Sequence, residues 1–161
     1  MANVDDRFEM PDGSVYVIRH PEAESGGEFV EIEFILPGDC VAPPPHVHPH
    51  QVEEYEVIEG SLEVMVDGDW STYRQGELAS VPVGSLHTFR NPTGGPIRLR
   101  NVHRPAMGFE DFIESTCAQL EKSGVKSGRD PRVPIILSTM MLRDPEPVSY
   151  THLTLPTNRE V

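Results

Sequence analysis

The sequence has little cysteine, little positive charge and no long apolar run. Its two cysteines, Cys40 and Cys117, lie far apart and form neither an even framework nor a metal-type spacing. A disulfide scaffold and a cysteine zinc site are therefore excluded, and a reducing cytosol fits. Lys and Arg total 13 against 26 Asp and Glu, a net charge of −13. So acidic a chain repels phosphate backbones and anionic lipid, which makes nucleic acid and membrane surfaces poor partners. No stretch approaches the ~20 apolar residues of a membrane span. The opening MANVDDRFEMPDG is acidic and lacks the apolar core of a secretion signal. A cytoplasmic protein is expected. No internal repeat, linker or DNA-binding helix-turn-helix is visible.

What is present points to many turns. The 161 residues suffice for one domain with a proper core. Sixteen prolines and 13 glycines are spread between short β-rich runs, which favours an all-β fold. Val15–Ile18 is β-prone. Phe29–Leu36 (FVEIEFIL) alternates apolar and acidic residues, the mark of a half-buried strand. Glu53–Glu59 is a further strand. Leu62, Val64 and Val66 alternate on the next, and Asp67-Gly68 predicts a hairpin whose return strand is Trp70–Tyr73. Gly76–Val81, His87–Asn91 and Ile97–Val102 complete the β region.

The pattern then changes period. Phe109, Phe112, Ile113, Cys117 and Leu120 recur at helical spacing, and Gly124 is a natural stop. This predicts an amphipathic helix packed on the outside of the β region. A weaker helix is expected from about Pro134 to Leu142. The tail Val148–Thr157 (VSYTHLTLPT) has neither helical nor strand logic, and it back-translates to a transposon-type sequencing adapter. Residues 148–161 are therefore expected to be non-native, with the natural chain continuing differently after about Pro147. An intact homologous locus encoding the same tail would overturn this. The expected divisions are 1–28 for an N-terminal strand or arm, 29–105 for a β-barrel and 106–147 for a helical extension.

The chemistry concentrates in histidines. His46-Val47-His48 puts two imidazoles two residues apart, where one extended segment aims both at one point. Pro43-Pro44-Pro45 stiffens the approach. Glu53 follows after four residues, and His87 lies 34 residues further on, after a glycine turn. Three imidazoles and one carboxylate suit iron, manganese, nickel, cobalt, copper or zinc, and suit calcium or magnesium poorly. Glu54 competes with Glu53 for the inward position. Tyr55 and Val57 share the face of Glu53, so strand phase selects Glu53. Phe34, Tyr55, Leu62, Val64, Phe89 and Leu99 are the expected barrel lining. His50 is expected at the rim, His103 at the surface after its strand ends, and Asn91 as a residue that orders strand and loop.

These residues resemble two motifs of the cupin superfamily. His-X-His, four residues, Glu, six residues and Gly are met by His46, His48, Glu53 and Gly60; Gly38 leads them at a looser spacing than usual. Gly, five residues, Pro-X-Gly, two residues, His, three residues and Asn are met by Gly76, Pro82, Gly84, His87 and Asn91. The resemblance covers about Phe29 to Val102. It implies a jelly-roll β-barrel around one divalent transition metal held by His46, His48, Glu53 and His87, and often a homodimer. For function it leaves three readings. One is a metal-dependent oxygenase acting on a small organic molecule, with Glu53 as base. Another is a metal-assisted isomerase, decarboxylase or lyase, for which Arg90, Arg98 and Arg100 are candidate phosphate partners. The third is a non-catalytic small-molecule binder.

Overall fold

The computed structural model describes residues 1–143, so the suspected non-native tail lies outside the described residues. Nine antiparallel strands form two sheets. In chain order they are β1 (Arg7–Glu9), β2 (Val15–His20), β3 (Val30–Leu36), β4 (Val52–Glu59), β5 (Ser61–Val66), β6 (Asp69–Arg74), β7 (Leu78–Val81), β8 (His87–Arg90) and β9 (Ile97–Arg104). A short helix, α1 (Glu22–Ser25), interrupts the N-terminal strands, and α2 (Phe109–Lys122) and α3 (Arg132–Arg143) follow the last strand. One sheet has the order β1-β2-β3-β9-β4-β7 and the other β6-β5-β8. This is the expected jelly-roll arrangement, mostly β with small C-terminal helices.

Period-2 patterning decides which side chains enter the core. Val30, Ile32, Phe34 and Leu36 of β3 are buried, as are Tyr55 and Val57 of β4 and Ile97 and Leu99 of β9. Leu62 and Val64 of β5 and Phe89 of β8 face them from the smaller sheet; the Tyr55 and Phe89 rings pack with centroids 5.4 Å apart. Each such side chain, fully buried, contributes about 1.5–3 kcal/mol. The alternate positions carry charge. Glu33 accepts hydrogen bonds from Arg19 and Arg98, and Arg100 pairs with Glu31 and Glu56. Burial alone would raise the Glu33 pKa, but those two guanidiniums hold it below the usual carboxylate value.

The turns follow their residue chemistry. Asp67 (φ 51°) and Gly68 (φ 96°) make the β5–β6 hairpin with both central residues in the left-handed region. Asn91 donates from Nδ2 to the carbonyls of Leu36, Pro37 and Gly95, and its Oδ1 accepts from Thr93, so it clamps the loop before β9 as expected. The His46-Val47-His48 segment is not a full strand. It joins β8 through a single bridge in which His46 and His87 exchange backbone hydrogen bonds of 3.0 and 2.9 Å.

Helix α2 starts with Glu110 and Asp111, whose charge suits a helix N-terminus, and Gly124 follows its end at φ 66°. Its apolar stripe is buried as the spacing predicts, but not against the barrel's outer wall. Phe109, Phe112, Ile113, Thr116 and Cys117 line the same cavity as Phe34 and Tyr55, so α2 closes over the barrel interior. Gln51 anchors this closure by donating to the carbonyls of Pro105 (2.8 Å) and Ala106 (2.7 Å). The α3 residues Val133 and Leu137 pack with Leu120 and Val125 behind it.

Gly60 ends β4 at φ 88°, and a Cβ there would lie 2.6 Å from Cγ2 of the buried Ile97. The Gly60→Ala variant should lose about 1–3 kcal/mol of stability, read from chemical denaturation, because both strain and overlap must be relieved.

Candidate metal centre

Three backbone segments deliver the four expected side chains to one point. The His46–His48 segment is tied to β8 by its bridge, which brings His46 and His87 side by side with ring centroids 4.3 Å apart. Strand β4 places Glu53 opposite Val81 of β7 and His103 of β9. His46, His48, Glu53 and His87 are all buried, and one donor atom from each lies within 4.8 Å of the others. Glu54, on the opposite face of β4, is half-buried and has Arg104 Nε 3.9 Å away. Strand phase thus separates the two glutamates as the sequence predicts.

Hydrogen bonding orients the rings. His46 Nδ1 is 2.8 Å from the Pro44 carbonyl, and His87 Nδ1 is 2.9 Å from that of Ser85. A carbonyl only accepts, so both Nδ1 atoms carry the proton and both Nε2 atoms face the cluster. Glu53 Oε2 lies 3.0 Å from His48 Nε2 and 2.8 Å from His87 Nε2. Separations of about 3 Å suit adjacent donors around an ion whose bonds are about 2.0–2.2 Å. Three oriented imidazoles and one carboxylate fit a divalent transition metal. The cluster could therefore hold such an ion.

The surroundings set the protonation states. Burial, with His87 and His48 nearby, holds the His46 pKa down to about 3. Burial would raise the Glu53 pKa, but the charges of His103 and His48 and their contacts outweigh it and hold the carboxyl well below its ordinary range. Burial also works against protonating His87, but the hydrogen bond to Glu53 and its charge prevail and raise the pKa above 6.5. With Nδ1–H on Ser85 and Nε2 facing Glu53, the metal-free His87 holds its second proton to a higher pH than a free imidazole.

Two further residues of β9 belong to the site. Asn101 Nδ2 donates to Glu53 Oε1 at 2.8 Å and is fully buried. His103, expected at the surface, is also fully buried, with Nε2 3.1 Å from the same oxygen though not aligned for a hydrogen bond. Burial lowers its pKa to about 4 against the pull of Glu53. The sequence expectation failed because Arg104-Pro105 looked like an early strand end, whereas β9 runs to Arg104. Ile97, Leu99, Asn101 and His103 share one phase, and that signal was available. Phe109 stacks on the His103 ring at 3.5 Å and meets His48 edge-on at 5.9 Å. His50 is exposed, in keeping with a rim position.

The cluster opens into a cavity of about 80 Å³ whose walls are mainly aromatic and aliphatic. His46 and Glu53 form its polar end, and no Lys or Arg among the described residues lines it. Burial, with the charge of Asp12, pushes the Cys117 thiol in its wall up to about 12, so that wall is neutral too. Arg90 pairs with Glu63 and lies over Trp70, while Arg98 and Arg100 pair with acids on the outer face. None of the three candidate phosphate partners reaches the cavity.

Comparison with known proteins agrees with this architecture. The cupin-domain family profile matches residues 32–103. Those residues match a cupin domain, and the fold is that of cupins. It is 28% identical over 96 residues to the alginate biosynthesis protein AlgA of Pseudomonas fluorescens, a stretch covering 59% of this chain and 20% of that protein. It is 35% identical over 66 residues to quercetin 2,3-dioxygenase of Bacillus subtilis, covering 41% of this chain and 20% of that one. The chain thus spans about a fifth of the length of these curated relatives. Among solved structures, a predicted oxalate decarboxylase from Thermotoga maritima superposes with a TM-score of 0.56 at 14% identity, over 63% of this chain and 92% of that one. This last likeness concerns the fold alone.

Two measurements check the site. Metal binding must displace the extra proton from His87, so apparent affinity should rise by up to tenfold per pH unit while His87 is protonated and level off above its raised pKa. Competition titration against a chromophoric chelator between about pH 5.5 and 8.5 reads this. Asn101→Ala should weaken metal binding about 10–100-fold with the far-ultraviolet circular dichroism spectrum retained, because Glu53 loses the donor that orients it.

Proposed function

We propose that His46, His48, Glu53 and His87 hold one divalent transition metal and that the protein is a metal-dependent oxygenase acting on a small organic molecule. The observation that carries this reading is the closed convergence of three imidazoles and a carboxylate at the polar end of an apolar cavity. A bound ion of this class would supply Lewis-acid polarisation and, where redox-active, reactivity toward dioxygen.

The chain's own groups have distinct tasks. His46, His48 and His87 act as neutral donors, each ring held in place by packing or by a carbonyl. Glu53 has two oxygens with different duties. Oε2 faces the imidazoles, whereas Oε1 is held by Asn101 and approached by His103. A carboxylate so placed can serve as ligand and accept a proton from substrate as general base. Phe109 and Phe112 cover the cavity and exclude water, which strengthens the electrostatic interactions inside.

The relation to quercetin 2,3-dioxygenase supports oxygen chemistry in kind. A cytoplasmic location and a homodimer belong to this reading as expectations.

Elemental analysis of the purified protein should find close to one transition metal per chain, with most of it lost in His87→Ala. Oxygen uptake by iron-loaded protein with small enolic and thiol substrates should depend on the metal and on Glu53. Turnover undiminished without oxygen would replace the oxygenase reading with metal-assisted isomerisation or lysis. Absence of turnover with every first-row metal would leave a binding module.

A further inference from the structure

The cavity that begins at His46 and Glu53 ends on groups that no catalytic argument has used. Thr116 lies on α2, outside the residues matched by the cupin family, and its side chain lines the cavity. Its hydroxyl is fully buried and has no hydrogen-bond partner among the described residues. The Tyr55 hydroxyl, on β4 in the same cavity, is equally buried but has the Glu53 carboxylate beside it; burial first, then that carboxylate, raises its pKa. A helical threonine commonly satisfies its hydroxyl on the carbonyl one turn back, and Thr116 does not. Leaving a buried hydroxyl unpaired is costly, and that of Thr116 in this apolar cavity is better explained by a ligand than by packing.

Size and charge narrow the ligand. The cavity, about 80 Å³, is roughly half the ~150 Å³ apolar cavity that accommodates benzene. That leaves room for about three to five heavy atoms, scaling from benzene's six. In the metal-free protein no Lys or Arg among the described residues lines the cavity and the Glu53 carboxylate stands at one end, so an anion would meet repulsion without a counter-charge.

We infer that α2 is the substrate-reading wall of the site, and that, with no metal bound, it selects an uncharged molecule of about three to five heavy atoms whose oxygen accepts a hydrogen bond from Thr116. This deepens the reading above, because the metal cluster and these hydroxyls bound the same cavity. Thr116 is thereby a specificity-determining residue supplied by the helical extension rather than by the barrel.

The test uses acetone and its isosteric anion acetate as probes of the full chain, titrated by ligand-observed NMR. EDTA-treated protein should bind acetone at least about tenfold more tightly than acetate, the gap expected for an unpaired buried charge against a paired carbonyl. Thr116→Val should weaken acetone binding about tenfold, while Thr116→Ser should retain it. Equal binding of acetone and acetate, no acetone binding at all, or equal loss in the valine and serine variants would overturn the inference. Cyclohexanone binding as tightly as acetone would overturn the size limit. Elemental analysis on the same preparations keeps the two readings apart. Threonine-dependent acetone binding in a protein that never retains metal sinks the metal assignment and upholds this one. Full metal occupancy with acetone binding indifferent to Thr116 does the reverse.

Discussion

The structure is organised around a buried carboxylate. Glu53 sits at 2% exposure in the barrel interior, where an isolated charge would cost far more than a small domain's net stability. It is tolerated because His48, His87 and Asn101 aim polar atoms at its two oxygens within 3.0 Å. These partners come from widely separated parts of the chain. The pairing of β4 with β9, the bridge between His46 and His87, and the turn before β8 must all be correct before Glu53 is satisfied. The polar cluster therefore helps specify the fold as well as the site.

The same requirement explains the helical extension. An apolar barrel interior beside a charged cluster would be wet at an open end, and water would weaken every electrostatic contact there. Helix α2 covers it with Phe109 and Phe112, and Gln51 fixes the turn that leads into the helix. Phe109 stacks on His103, which in turn lies beside Glu53. One continuous set of contacts runs from the helix cover to the carboxylate, so the helix is part of the site.

The arginines show the opposite logic. Arg19, Arg98 and Arg100 gather on the outer face of the larger sheet, where they neutralise Glu31, Glu33 and Glu56 on neighbouring strands. This cross-strand pairing keeps these three guanidiniums on the surface. The interior is left with imidazoles, hydroxyls and the Glu53 carboxylate.

Much of this was legible in the residues themselves. Motif spacing named His46, His48, Glu53 and His87, and period-2 phase separated Glu53 from Glu54, because both signals are local properties of an extended chain. The hairpin at Asp67-Gly68 and the stripe of α2 were readable for the same reason. Tertiary structure alone decided what those elements face. Whether β9 stops at Val102 or carries His103 inward depends on its pairing with both β3 and β4. Whether an amphipathic helix lies on a barrel's wall or over its mouth depends on which apolar surface remains uncovered, and its periodicity is the same in either case. The sequence by itself determined which four side chains form the cluster. Long-range packing determined that the cluster would be buried and backed by Asn101 and His103.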